Sequence, residues 1–422
     1  MNGDADRLQM QRNNSRLIMQ EDDRYLQEQI ITYIGNKRGL LTNISACLEE
    51  IRHDLGREKI VSLDMFSGSG IVARLLKQYS SLVLANDLEH YSQIINECYL
   101  SDREDLAGSE YKKYKKEVDD FFECRCSDAA AQERSDFSEC RTAAGETDGS
   151  TERRTAAGGG LIRGIISREY APHDDDDIRK GERVFYTAEN AAAIDTYRAA
   201  IDQVPQPLQK YFLAPLLYEA SVHTNTSGVF KGFYKNSRTG RGQFGGDGEN
   251  ALSRIKGRIR LPEPVLSSFS CEHMVYREDA NELARRLAEE AGRIDVAYID
   301  PPYNQHPYGS NYFMLNVIAD NKISGRQSAV SGIPDNWNRS RYNKAPQVKA
   351  AFEELISEIR SRYLLISYNS EGYISLDEMK TILERYGDVH YQEIRYNTFR
   401  GSRNLRGRSI YVNEYLITVR KK

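Results

Sequence analysis

From Lys59 to Leu100 the chain alternates strand and helix. An apolar run (Ile60, Val61, Leu63), a glycine turn, a helical stretch Ile71 to Gln78, a second apolar run (Leu82, Val83, Leu84) and another helix follow one another. That alternation is the opening of an open α/β sheet, because parallel strands need a crossover to bring the chain back. A comparable run comes only at Ile294 to Ile299, followed by a short strand at Tyr363 to Ser367 and a helical stretch from Leu376 to Tyr386. One sheet built from both parts must be split in sequence by an insertion. Two strand-like runs near the end, Tyr391 to Phe399 and Ser409 to Val419, flank the basic turn Arg400 to Arg408 and read as a terminal hairpin.

Within the insertion the composition collapses between Cys124 and Asp177 into Ala, Gly, Ser, Thr and charge, with Arg-Thr-Ala-Ala-Gly occurring at Arg141 and again at Arg154. This reads as a flexible loop over 124–177. Ala188 to Val204 and Pro207 to His223 then carry apolar and aromatic residues at helical spacing, an ordered region placed at 183–262. The expected division is a polar flexible extension over 1–24, a catalytic domain from 25–110 and 270–422, and an insertion over 111–269. With 58 basic against 62 acidic residues and a net charge of -4, any nucleic-acid-binding surface must be local. Six sparse cysteines, no secretory leader and no sustained apolar stretch of about 18 residues argue for a soluble, cytoplasmic protein outside the membrane. Cys124, Cys126 and Cys140 lack zinc-ligand spacing and a neighbouring histidine, so no metal is expected.

The first chemistry-bearing element is Asp64-Met65-Phe66-Ser67-Gly68-Ser69-Gly70, where a strand turns into a helix. Glycines there allow a sharp bend and let a ligand approach the helix amino end, where free N–H groups favour anionic groups. A turn without a ligand uses the same residues, so the next feature matters. Asn86-Asp87 closes the second strand, and an acid about twenty positions beyond the turn is where ribose hydroxyls are held. A nucleoside-containing cofactor accounts for both, and Asp87 could also cap the helix that follows. With Ala73 in place of a third glycine, a nicotinamide cofactor stays formally open on this stretch.

Asp300-Pro301-Pro302-Tyr303 follows directly on the strand Asp295 to Ile299. Two prolines hold Asp300 and Tyr303 in a stiff extended turn at a strand's carboxyl end, the edge where open α/β sheets bind ligands. The carboxylate and the Pro301 carbonyl can accept hydrogen bonds from an amino group, and a ring three positions on can stack on a base. Methylating an aromatic amine has those requirements: drawing the amine hydrogens toward two acceptors favours a nucleophilic nitrogen, and neither metal nor covalent intermediate is needed.

In motifs and in their order, the sequence resembles the Dam-type class of DNA adenine-N6 methyltransferases: Tyr33-Ile34-Gly35-Asn36-Lys37-Arg38, then Asp64 to Gly70, then Asn86-Asp87, then an insertion, then Asp300 to Tyr303. The resemblance implies a Rossmann-like methyltransferase sheet with a terminal antiparallel hairpin and a mainly helical inserted target-recognition region. It implies S-adenosyl-L-methionine as cofactor, with Tyr33, Gly35 and Lys37 at its methionine end and Phe66, Gly68 and Gly70 along its body, next to Asp64. Asp87 would take the ribose and Asp279, in Val275 to Ala280, the cofactor adenine; capping of the helix that follows explains Asp279 as well. Asp300, Pro301, Pro302 and Tyr303 would be the catalytic turn.

In this class the insertion carries target recognition. Here Lys231, Lys235, Arg238, Arg241, Arg254, Lys256, Arg258 and Arg260, interleaved with glycines and aromatics, suit phosphate contacts, and Arg400, Arg403, Arg406 and Arg408 form a second candidate. A duplex hides the amine, so adenine is expected to flip out beside Tyr303. His223 and His306 read as packing or hydrogen-bonding residues. The expected activity is methylation of a specific double-stranded DNA sequence in a restriction-modification or phage/host modification system, with a cognate restriction endonuclease acting separately. An RNA methyltransferase, a cytosine-N4 enzyme and an inactive DNA-binding regulator remain as alternatives.

Overall fold

The computed structural model describes residues 21–139, 160–289, 294–397 and 411–422. Seven strands form one sheet: β1 (Ile60–Asp64), β2 (Ser80–Asn86), β3 (Glu272–Tyr276), β4 (Ile294–Ile299), β5 (Ser361–Asn369), β6 (Gly387–Asn397) and β7 (Tyr411–Lys421), in the order β3-β2-β1-β4-β5-β7-β6. Strands β3 through β5 are parallel; β7 enters antiparallel between β5 and β6. The sheet is the expected Rossmann-like methyltransferase sheet with its terminal hairpin. Strand order reverses between β1 and β4, so their carboxyl ends, carrying Asp64 and Asp300, open the crevice where such sheets bind ligands.

Alternation along the strands divides the core. Leu63, Ala297, Ile299, Leu364 and Ile366 face a layer made by α7 (Ala280–Glu289), α9 (Ala345–Glu358) and α10 (Leu376–Leu383), while Val83, Ala85, Val296, Tyr298 and Leu365 face α1 (Leu41–Leu55) and α2 (Ile71–Tyr79). A third cluster, rich in aromatics, joins α3 (His90–Tyr99) and α8 (Phe313–Asp320) of the sheet-bearing part to α5 (Ala188–Ile201) and α6 (Gln206–Val222) of the insertion. The insertion thus packs directly beside the crevice.

The 124–177 loop expectation changes. Helix α4 (Ser109–Glu139) runs through Cys124 and Cys126, and a short helix at Ile165–Tyr170 buries Ile166 and Tyr170. Ala129, Ala130 and Ala131 are strong helix formers, and the helix they extend carries the i,i+4 pairs Lys115–Asp119 and Lys116–Asp120 and stacks Phe122 on Tyr197. The Asp195 carboxylate, on α5, anchors the second stretch by accepting from the Gly164, Ile166 and Ser167 amides and the Ser167 hydroxyl, at 2.7, 3.0, 2.8 and 2.6 Å. Residues 140–159, with both copies of the repeated string, lie outside the described residues, as do 1–20 of the amino extension. Glu21 already belongs to the fold, accepting from Ser268 N and Oγ at 2.7 and 2.8 Å. Among the described residues no helix is long and apolar enough to cross a membrane.

Candidate active site

The two motif-bearing turns meet in one cleft with about 710 Å³ of empty space including its mouth, lined among others by Tyr33, Phe66, Asp87, Glu89, Asp279 and Asp300. Gly68 and Gly70 have φ +50° and +77°, in the left-handed region where glycine is at ease, and Gly70 is the N-cap of α2. The Gly68 amide donates to Asp87 Oδ2 at 2.8 Å, and the Glu89 amide donates to Asp87 Oδ1 at 3.0 Å. Asp87 therefore locks the glycine turn to the end of β2 while lining the cleft. Helix α3 begins at His90 with Glu89 as its cap residue, so Asp87 lies two residues before the cap position expected of it. A Cβ on Gly68 would stand 2.8 Å from the Tyr33 ring.

Asp64 sits beneath the turn, fully buried, with the Phe66 and Ala73 amides turned toward its carboxylate. Burial holds it well above the usual carboxylate range, with Asp300 and Asp87 adding to the rise. Asp279 lines the cleft and its Oδ1 accepts from the Asn281 and Glu282 amides at 3.0 and 3.3 Å, so it does cap α7. Phe66 meets Tyr342 edge to face with centroids 5.1 Å apart. The glycine cradle, the acids at the ends of β2 and β3, and the apolar wall at Phe66 together fit a nucleoside-bearing cofactor.

Tyr33 is held by two residues not singled out in the sequence: it stacks on Tyr308 and Tyr312 at 4.9 and 4.7 Å. Tyr312 Oη accepts from the Ile34 amide at 2.7 Å and Tyr308 Oη donates to the Ile34 carbonyl at 3.1 Å. Their i,i+4 spacing, five residues after the Asp-Pro-Pro-Tyr turn, was the available signal. Lys37 is buried directly behind Asp300. Its buried ammonium reaches the Gly35 carbonyl at 3.0 Å, Asp300 Oδ2 at 2.9 Å and Glu414 Oε1 at 3.3 Å. Burial opposes its charge, but the two carboxylates outweigh that and push the ammonium pKa well up.

Asp300 leaves the end of β4 with its side chain 17 % exposed. Burial raises its carboxyl pKa, Lys37 lowers it and Glu414 raises it, leaving it pushed up to about 6. The half-buried Tyr303 ring packs edge to face on Tyr368 at 6.3 Å, its carbonyl accepting from the Tyr373 amide at 3.2 Å. An exposed Lys231 brings its Nζ to 3.5 Å from His306 Nδ1, against the loop that follows the catalytic turn. Lys235 pairs with Gly242 across a tight turn that presents exposed Arg238 and Arg241. Arg254 departs from the expected patch: its guanidinium donates to the Val222, Thr224 and Thr226 carbonyls, the last two at 2.9 and 3.0 Å, and braces the start of that segment. His223 is held between Glu219 and the Arg254 carbonyl. Arg400, Arg403, Arg406 and Arg408 lie outside the described residues.

A sheet of this order with a glycine cradle on β1 and a proline-stiffened acid at the end of β4 defines a methyltransferase of the nucleic-acid amine type. The family model of the D12 class N6 adenine-specific DNA methyltransferases matches residues 33–382, and the chain belongs to that family. It is similar to the type II methyltransferase M.NlaIII of Neisseria lactamica, 27% identical over 406 residues covering 93% of this chain and 99% of that protein. M.CviAII of Paramecium bursaria Chlorella virus 1 is 28% identical over 263 residues, 61% of this chain and 71% of the relative. M.FokI of Planomicrobium okeanokoites is 27% identical over 363 residues, 84% of this chain but 47% of that longer protein. The protein is an enzyme that transfers a methyl group to N6 of adenine in DNA, which decides among the alternatives the sequence left open.

Proposed function

We propose that the donor is S-adenosyl-L-methionine, held in the cleft between Asp87 and Asp279, and that Asp300, Pro301, Pro302 and Tyr303 carry out the transfer. When bound, the cofactor supplies an electrophilic methyl group on a sulfonium. The chain's own contribution is to position and to accept protons: Asp300 and the Pro301 carbonyl draw the N6 hydrogens, Pro302 stiffens the turn, and Tyr303 stacks on the base. The carrying observation is the partly buried Asp300 carboxylate at the edge of the cleft lined by Asp87, Phe66 and Asp279. Tyr33, Gly35, Phe66, Gly68 and Gly70 shape the cofactor's seat, with Asp64 beneath it and Lys37 facing Asp300. The test is transfer of labelled methyl from S-adenosyl-L-methionine to unmethylated genomic DNA, digested to nucleosides. N6-methyladenine supports the reading, and DNA that stays unlabelled overturns it.

Gly68→Ala is expected to weaken cofactor binding at least about tenfold, because the new methyl meets Tyr33 in a ring stack that cannot shift freely and the backbone is strained at positive φ. Calorimetric titration with S-adenosyl-L-methionine checks this; an unchanged Kd would mean the turn is not the cradle.

The substrate is read as double-stranded DNA, with the target adenine flipped into the pocket beside Tyr303 and the phosphates met by Lys231, Lys235, Arg238 and Arg241. Replacing Lys231 and Arg238 together by alanine should flatten the dependence of log Kd on log salt by about two phosphate equivalents. A 2-aminopurine at the target position should brighten on binding; unaltered fluorescence would count against flipping. The type II names of the relatives support a place in restriction-modification, and a separate cognate endonuclease, a cytoplasmic setting and transfer without a metal belong to the same proposal. The division into a catalytic part (25–110 and 270–422) and an inserted recognition region at 183–262 remains the working one.

A further inference from the structure

We propose that Glu414 is a positioning residue that shares Lys37 with Asp300, keeping the catalytic carboxylate basic enough to take the amine proton. The inference rests on Asp300 being the acceptor named above. Its ground is a buried chain of three charges. Glu414 leaves β7 opposite Asn369 of β5, and its side chain is 4% exposed. Asn369 Nδ2 donates to Oε2 at 3.1 Å and Ser367 Oγ to Oε1 at 3.3 Å, so side chains of the neighbouring strand fix the carboxylate. Oε1 then faces Lys37 Nζ at 3.3 Å, and the same nitrogen faces Asp300 Oδ2 at 2.9 Å. A third contact, to the Gly35 carbonyl at 3.0 Å, completes the surroundings of the ammonium.

One cation between two buried carboxylates leaves a net negative charge. A lone Lys37–Asp300 pair would hold Asp300 firmly ionised and make it a poor proton acceptor; a second anion on the same lysine weakens that hold. The other titratable groups facing Asp300 are Asp64 of β1, Tyr298 of β4, Tyr303 of the same turn and Tyr308 beyond it. Burial raises the pKa of each of these, and Lys37 is the cation that both Asp300 and Glu414 contact. In the transfer, the N6 electron pair forms the new N–C bond as the S–C bond breaks and its pair returns to sulfur. The displaced N6 proton goes to Asp300, and its pKa near 6 suits that step.

The test is the pH dependence of the single-turnover methylation rate for wild type, Glu414→Gln, Glu414→Asp and Asp300→Asn, with S-adenosyl-L-methionine Kd measured alongside. Glu414→Gln should move the acidic limb down by about one pH unit with cofactor affinity unchanged, and Glu414→Asp should return it toward wild type. Should Glu414→Gln fail to fold, Asn369→Ser removes one support of the carboxylate and should move the limb the same way by less. An acidic limb at the wild-type position in the folded variants overturns the inference. Active Asp300→Asn would instead remove the site reading on which it rests.

Discussion

Asp300→Ala should lower the single-turnover methylation rate by about three orders of magnitude while leaving the Kd for S-adenosyl-L-methionine within about twofold. The reasoning runs through the amine. Its lone pair is delocalised into the adenine ring, and the acceptor that draws it out is a carboxylate aligned by Lys37 at 2.9 Å on a proline-stiffened turn. Alanine removes that acceptor and leaves the Lys37 ammonium facing the amine hydrogens, a repulsive arrangement. The same carboxylate sets a pH dependence in the intact enzyme. Its pKa stands at about 6, above the ordinary aspartate value, and in the proposed transfer the ionised form is the active one. Activity is therefore full above that pH and falls about tenfold per unit below it, provided DNA binding is saturated throughout. A rate that survives Asp300→Ala, or a flat profile between pH 5 and 7, would contradict the assignment.

The second large effect concerns stability. Arg74 lies on α2, one turn past the glycine cradle, and is 1% exposed. Its guanidinium donates to the Tyr25, Glu28 and Gln29 carbonyls at 2.9, 3.0 and 2.8 Å and lies 3.7 Å from the centroid of the Tyr99 ring. Those carbonyls end the segment that leads into Tyr33. Arg74→Ala strips two buried acceptors and one partly buried one of their donor and opens a void, and should cost about 3–5 kcal/mol of unfolding free energy. Guanidinium denaturation read by circular dichroism measures it. Arg74→Met, which refills the volume, should recover part of the packing but none of the hydrogen bonds. A loss below about 1 kcal/mol would show that the segment is held by other contacts.

Sequence alone exposed the parts whose chemistry is local. The glycine turn, the Asn-Asp end of β2 and the Asp-Pro-Pro-Tyr turn each announce themselves within a few residues, and strand periodicity located β1, β2, β4, β5 and the hairpin. What stayed hidden depends on chain segments far apart. Strand β3 is short and at the sheet edge, with an exposed Met274 and partly buried neighbours, so it shows little apolar alternation. Nothing near Arg74 in sequence shows that the fold wraps residues 25–29 over it. Lys37 was assigned to the cofactor's methionine end from its motif, and nothing near it in sequence points to Glu414, its partner across the fold. Arg254 counted toward a basic patch because a positive charge looks the same whether it faces phosphate or backbone carbonyls. The charge and alanine that made 124–139 read as a loop also make a stable helix.

The pairing of β1 with β4 sets the order in which this molecule can mature. A ribosome adding roughly 5–20 residues per second needs on the order of ten seconds or more to make the stretch separating those strands. During that interval β1 lacks the neighbour that will occupy its open side, and Tyr33 lacks the tyrosines that later stack on it. An unpaired parallel strand is an aggregation hazard for as long as it waits. The nascent chain therefore passes through a long window in which the half bearing the glycine cradle exists without the half that finishes the pocket, and its yield in a cell depends on what shields that edge meanwhile.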